Sequence, residues 1–328
     1  MDIADMRGAN MQKIYQPKKK VVIASSIEGV FNNGAKECGF ISINALSRIN
    51  PFFKKNTMDE FIQDKSVSDS KEMKAFLALR PLVKVAEDYY TVLQLIKNYP
   101  AEAEKIIESK DEKIVSFFEK RFEALKAATK AQREDFKKAF YDERDERKAE
   151  SMEKWQLLQS PFIETVDEFR ALHANGYILS FVTSKDEKST YELCVAYSSP
   201  MAGYLKEEEV KPVSREEIYF MGSSACMITP QRIIGRERMP GKKDKAAQLD
   251  IIAKQENVSK GQVFRLDDMY NADEVKDMRQ AGYENIIIVK GGYAFDMEYE
   301  KAQKDGILVV ERENMAAAIA NKAKELGL

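Results

Sequence analysis

The apolar positions of this chain fall into two regimes. Val21-Val22-Ile23-Ala24 is an unbroken apolar run that stops at Ser25-Ser26-Ile27-Glu28-Gly29, the pattern of a buried strand breaking into a tight loop. From about residue 46 to 155 the spacing is helical. Ile114, Phe117, Phe118, Phe122 and Leu125 recur at steps of three and four and form one stripe, and Phe136 and Phe140 continue it on the next segment. Glu102 to Lys154 contains no Pro or Gly, which predicts long antiparallel helices. The stripe lacks sustained heptads, so an intramolecular bundle is favoured over a coiled-coil surface.

After Pro161 the pattern alternates. A helix is predicted over Ile163–Ala174, stopped by Asn175-Gly176, then a strand over Tyr177–Val182 and a helix from about Glu187 to Ala196. A strand near Glu217–Met221, a helix Lys243–Gln255 and a strand Gln262–Leu266 follow. Next come a helix Ala272–Gln280, a strand Asn285–Val289 and a last helix Met315–Leu326. Strand and helix in turn predict an α/β fold, a doubly wound parallel sheet with right-handed crossovers. The first strand joins that sheet only if the helical stretch is an insertion. The expected division is an extension over 1–19, a core over 20–45 and 156–328, and an all-helical cap domain over 46–155.

Composition narrows the function classes. The 52 basic and 54 acidic residues nearly cancel over 328 residues, and 44% of the chain is hydrophobic. That is enough for a sizeable core, with no net field directed at nucleic acid or an anionic membrane. Lys18-Lys19-Lys20 reads as a solvated run before a strand. No apolar run approaches the length of a membrane span, and residues 1–17 lack the apolar segment of a signal peptide. Cys38, Cys194 and Cys226 are odd in number and widely spaced, as expected of free thiols in a reducing cytoplasmic compartment.

In a parallel sheet ligands sit beyond the carboxyl ends of the strands, and the polar residues cluster there. Ser26 and Glu28 follow the first strand, Thr183 and Ser184 the second, and Asp267 and Asp268 a later one. Lys243, with Lys242 beside it, opens a helix whose N-terminus favours anions. Hydroxyls, lysine and helix ends suit phosphate oxygens, and carboxylates suit a hard cation. Arg80 reads as a surface ion pair or a substrate contact, and Tyr89, Tyr90 and Trp155 as core of the helical region.

These residues resemble the haloacid dehalogenase (HAD) superfamily, most of whose members are magnesium-dependent phosphatases. Ser26-Ile27-Glu28-Gly29-Val30 occupies the place of its Asp-x-Asp-Gly motif, Thr183 that of the Thr or Ser closing a strand, Lys243 or Lys242 that of its lysine, and Asp267-Asp268 that of its acidic pair. Asn271 or Asp273 would stand for a further downstream acid, and Gly291-Gly292-Tyr293 is also similar to the family. The resemblance implies a Rossmann-like core with a substrate-selecting helical cap. It implies Ser26 and Glu28 as the catalytic pair, Thr183, Ser184, Lys243 and Lys242 as phosphate ligands, Mg2+ held by Asp267, Asp268, Ser26 and Glu28, and a small phosphorylated metabolite as substrate.

The departure is Ser26. The family's first Asp attacks phosphorus as a carboxylate, whereas a hydroxyl needs a base. His173, the one histidine, is expected at the wrong end of its strand, and Lys243 would have to be neutral. Serine also removes a metal ligand. It removes a repulsion too, since like charges about 4 Å apart cost about 4 kcal/mol at a surface-like dielectric. A nucleophile lost by the protein and one removed by substitution would leave the same pattern. The sequence therefore predicts an impaired phosphatase or, alternatively, a non-catalytic phosphate-binding or interaction protein.

Overall fold

The computed structural model describes residues 14–50, 55–198, 226–235, 237–238 and 244–328. The expected strand at Glu217–Met221 and the residues Lys242 and Lys243 lie outside the described residues. The chain divides into two compact units, Met1–Asn33 with Pro161–Leu328, and Gly34–Ser160.

The first unit is built on a parallel sheet. Its strands are β1 (Val22–Ser25), β2 (Ile178–Val182), β3 (Ile233–Ile234), β4 (Val263–Asp267), β5 (Asn285–Val289) and β6 (Leu308–Val310). They lie in the order β3-β2-β1-β4-β5-β6, and every neighbouring pair is parallel. β1, β2 and β5 are near-continuous apolar runs, as strands covered on both faces require. The short β3 and β6 carry too few residues for periodicity to announce them.

Alternation along the strands sorts the two faces. Val22, Ala24, Val182, Val263, Ile286 and Ile288 pack with Leu249, Ile252 and Ala253 of the helix Lys245–Glu256. Phe181, on the other face, joins Phe31, Phe169 and Tyr197, whose rings pair with centroids 5.1–5.7 Å apart. Phe169 comes from the helix Ile163–Ala174 and Tyr197 from the helix Glu187–Ser198. The sheet is thus covered by helices on both faces. Ahead of β1, the Tyr15 hydroxyl donates to the Leu328 carbonyl at 2.8 Å and the Tyr177 hydroxyl to the Tyr15 carbonyl at 3.0 Å, so residues around Tyr15 are tied down.

The second unit is helical. Its longer helices are Ala35–Ile49, Asp88–Asn98, Glu112–Ala128 and Lys130–Glu150. The apolar stripe supplies its core: Phe118, Phe122, Phe136 and Phe140 are buried, as are Tyr89 and Trp155. Tyr89 stacks on Phe76 and on Phe140 with centroids 5.4 and 5.3 Å apart. Arg80 lies beneath the surface rather than on it. It is 9% exposed, donates to the Val83 carbonyl at 3.1 Å and lies over the Tyr89 ring. No described helix is long and apolar enough to cross a membrane, and Cys38, Cys194 and Cys226 are free thiols.

Candidate functional site

Chain order reverses between β1 and β4, the two central strands. In open α/β sheets such a switch, at the carboxyl edge of the strands, is the usual place for a ligand. β1 ends at Ser25 opposite Leu266, and the next residue, Ser26, still donates its backbone N–H to the Leu266 carbonyl at 2.9 Å. Then the chain turns. Phe31 and Asn32 donate to the Ile27 carbonyl at 3.0 and 2.8 Å, and Gly29 takes a φ of +77°, a conformation open to glycine without cost.

Three polar groupings stand at this edge. The first joins Ser26, Asp267 and a residue that patterning does not single out, Arg265. The Ser26 hydroxyl lies 3.0 Å from Asp267 Oδ1, and the Arg265 guanidinium donates to Ser26 Oγ at 2.6 Å and to Asp267 Oδ2. Arg265 and Asp267 share a face of β4 because they are two residues apart. Arg265 is 1% exposed and climbs that face between neighbours that leave it room. Ala24 is its register partner and Ser180 lies beyond Ala24. Lys245, the first residue of the covering helix, adds its field. Burial works to raise the Asp267 carboxyl, but Arg265, Lys245 and the hydrogen bonds from Arg265 and Ser26 outweigh it and hold it below the ordinary 3.8.

A pH dependence follows. A carboxyl depressed in the folded state contributes stability that is fully present above its unfolded value and is lost as pH falls through the folded value. Acid unfolding below about pH 4 should therefore steepen because of Asp267. Urea titrations between pH 5 and 2 should show a shallower loss of stability with falling pH for Asp267→Asn than for the parent. Equal slopes would contradict the ion pair.

The second grouping centres on Glu28. Lys185 Nζ is 2.7 Å from Glu28 Oε1, and the Lys185 side chain is almost fully buried. The Lys185 backbone N–H donates to Thr183 Oγ1 at 3.0 Å, so the β2 loop binds the β1 loop through Lys185. Asn32 stands 3.4 Å from Glu28 and accepts from the Tyr197 hydroxyl at 2.6 Å. Ser184, next to Thr183, is exposed.

The third grouping is packed around Asp268. Asp268 is 3% exposed and accepts the Tyr293 backbone N–H at 2.8 Å. A Cβ on Gly29 would lie 1.9 Å from Asp268 Oδ2, and one on Gly292 would lie 2.3 Å from Asp268 Cβ. Both glycines are there because the carboxylate fills the space. Asn271 caps the helix Ala272–Gln280 by accepting the Asp273 and Glu274 N–H groups, and Asp273 is exposed on its first turn. Neither enters the site. His173 is exposed on the last turn of the helix before β2, at the amino edge of the sheet.

Ser26 and Asp267 are thus brought together, and Thr183 and Glu28 are bridged by Lys185. The donor set does not fit a magnesium ion. Asp267 is occupied by a guanidinium, Asp268 by a backbone amide under two glycines, and Glu28 by an ammonium group. No set of three or more His, Cys, Asp or Glu side chains among the described residues is placed to hold a metal. A dication about 5 Å from the Arg265 charge would meet a repulsion of about 7 kcal/mol at an effective dielectric near 20. Lys185, Lys245 and Arg265 are the site residues that patterning missed. The signal for Arg265 was a cation inside a predicted strand, two positions before the acid.

No family model matches this chain, and no curated protein matches it significantly. Solved structures do. A proposed phosphoglycolate phosphatase from Lactobacillus delbrueckii subsp. bulgaricus is 14% identical, with a TM-score of 0.52 over 94% of this chain and 99% of the other. A second proposed phosphoglycolate phosphatase, from Haemophilus somnus, gives 14% identity and a TM-score of 0.47 over 90% and 96%. A haloacid dehalogenase-like family hydrolase from Streptococcus pneumoniae gives 12% and 0.46 over 92% and 98%. The likeness to the Lactobacillus structure shows a shared fold of parallel sheet and helical insertion, and the two weaker ones add nothing to it.

Proposed function

We propose that this protein binds phosphoesters on a phosphatase-type scaffold and does not turn them over by way of an aspartyl-phosphate. The observation that carries this reading is the state of Ser26. It occupies the tip of β1 as a hydroxyl held between Arg265 and Asp267. Asp267 is the nearest base, yet it is held below the ordinary carboxylate range and paired with a guanidinium, so its pull on the serine proton is weak. The Arg265 guanidinium and the ammonium groups of Lys185 and Lys245 stand at this edge beside the carboxylates of Glu28 and Asp267, and that field favours an oxyanion at the switch point. A small phosphorylated metabolite is the ligand class that the name of the similar Lactobacillus structure favours.

A second reading, slow hydrolysis through Ser26 itself, is favoured by one contact, the 3.0 Å approach of its hydroxyl to Asp267 Oδ1. Both readings meet in one experiment. The purified chain is titrated with inorganic phosphate and small sugar phosphates by calorimetry, then assayed on the same esters with and without Mg2+. Binding without turnover is the expected result. Turnover at about 1 per second or faster, an ordinary enzyme rate, would overturn it, and so would failure to bind any phosphate. Ser26→Asp should restore little activity while Arg265 remains, because the new carboxylate meets a guanidinium rather than an activated site.

A further inference from the structure

Arg265 is costly where it stands. The middle of a central strand in a parallel sheet is ordinarily apolar, and an unpaired cation there would cost several kcal/mol, roughly, in lost hydration. Three of its N–H groups serve the carboxyl edge: one donates to the Ala24 carbonyl at 3.3 Å, one to Ser26 Oγ at 2.6 Å and one to Asp267 Oδ2. Nε has no hydrogen-bond partner among the described residues. The guanidinium is therefore aimed at the site edge, not at the core.

We propose that Arg265 is a built-in counter-cation to Asp267, supplying at this edge the positive charge a divalent ion would bring, so that ligand binding here is independent of metal. The charges agree. Carboxylates at both 26 and 267 would balance a dication. A hydroxyl at 26 with a single carboxylate at 267 balances one guanidinium. The hydroxyl at 26 and the guanidinium at 265 thus match in charge the single carboxylate they both touch. A covalently fixed cation also holds Ser26 and Asp267 in register before any ligand arrives, which removes an ordering step from binding. Arg265 acts as a positioning residue: it orients the hydroxyl and neutralises the acid.

This inference rests on reading the edge as a phosphoester site, so its test has an arm that needs no phosphoester. Mn2+ is titrated into the full chain without phosphate and followed by electron paramagnetic resonance. The parent should show no Asp267-dependent Mn2+ site. Arg265→Met, close in volume and uncharged, should gain Mn2+ affinity by about tenfold or more as the Coulomb repulsion is removed, and Asp267→Asn in that background should abolish the gain. Arg265→Lys keeps the charge and should gain nothing. In the second arm, phosphate affinity of the parent should be the same in EDTA and in Mg2+. A Mn2+ site in the parent that is lost in Asp267→Asn overturns the proposal, as does a folded Arg265→Met that binds no more Mn2+ than the parent. If Arg265→Met fails to fold, the parent titration and the EDTA comparison still decide. Absence of phosphate binding under every condition would sink the phosphoester reading and leave the Mn2+ result standing on its own.

Discussion

Gly29→Ala should destabilise the protein by about 3 kcal/mol or more and abolish ligand binding at the sheet edge. Two costs add. Gly29 has a φ of +77°, where a Cβ costs about 1–2 kcal/mol. The methyl would also fall 1.9 Å from Asp268 Oδ2, so one of the two must move. Asp268 cannot retreat, because Tyr293 N–H holds it at 2.8 Å and Gly292 closes its other side. The β1 loop must yield, carrying Glu28 away from Lys185. Urea unfolding and phosphate calorimetry on the variant check both consequences. A loss below 1 kcal/mol would show that Asp268 is not packed as described. Shortening the acid in Gly29→Ala/Asp268→Ala should recover part of the loss, since the clash goes while the φ strain stays.

The fold is legible in the sequence where burial alone dictates the pattern. β5 was expected at Asn285–Val289 and is found there, and the helix Ile163–Ala174 ends where Asn175-Gly176 predicted. The helical stretch was legible because 102–154 has no breaker and its phenylalanines keep one face. The site was legible in outline only. Strand ends could be located, so Ser26, Thr183 and Asp267 could be assigned to one edge, but periodicity says nothing about which charges meet. Glu28 is expected as an acid beside a reacting group, and the Lys185 ammonium 2.7 Å from its carboxylate is a partner that spacing does not name. Asp268 is expected as a metal ligand, and what spacing does not disclose is that its carboxylate fills the hollow beside Gly29 and Gly292. Arg265 was absorbed into a strand because strand patterning weighs only apolar content. Long side chains such as Arg265 and Lys185 reach across several registers, and their partners are settled by packing, which spacing does not encode.

Arg312→Leu should cost about 3–5 kcal/mol, since it strips a buried cation from the carbonyls that shape the same loop. Arg312 is 8% exposed. It donates to the Val30 carbonyl at 2.6 Å, to the Gly29 carbonyl at 2.6 Å and to Thr165 Oγ1 at 3.0 Å, and its guanidinium lies 3.5 Å from the Phe162 ring centroid. Leucine could pack on Phe162 but would leave the carbonyls buried without donors. Burial lowers the arginine's affinity for its proton, and the neighbouring charge of Asp268 works against that, so the group stays charged and its removal also leaves Asp268 without that compensation. Arg312→Lys should recover only part of the loss, because an ammonium group lacks the planar fork that serves Gly29 and Val30 together. Urea midpoints of the two variants check the order. The same experiment on Gly29→Ala/Arg312→Leu should give less than the sum of the single losses, because both changes release one loop and a loop already freed cannot be released again. Strict additivity would mean that the packing at Gly29 and the hydrogen bonds of Arg312 support the loop independently and that no shared clamp underlies the site.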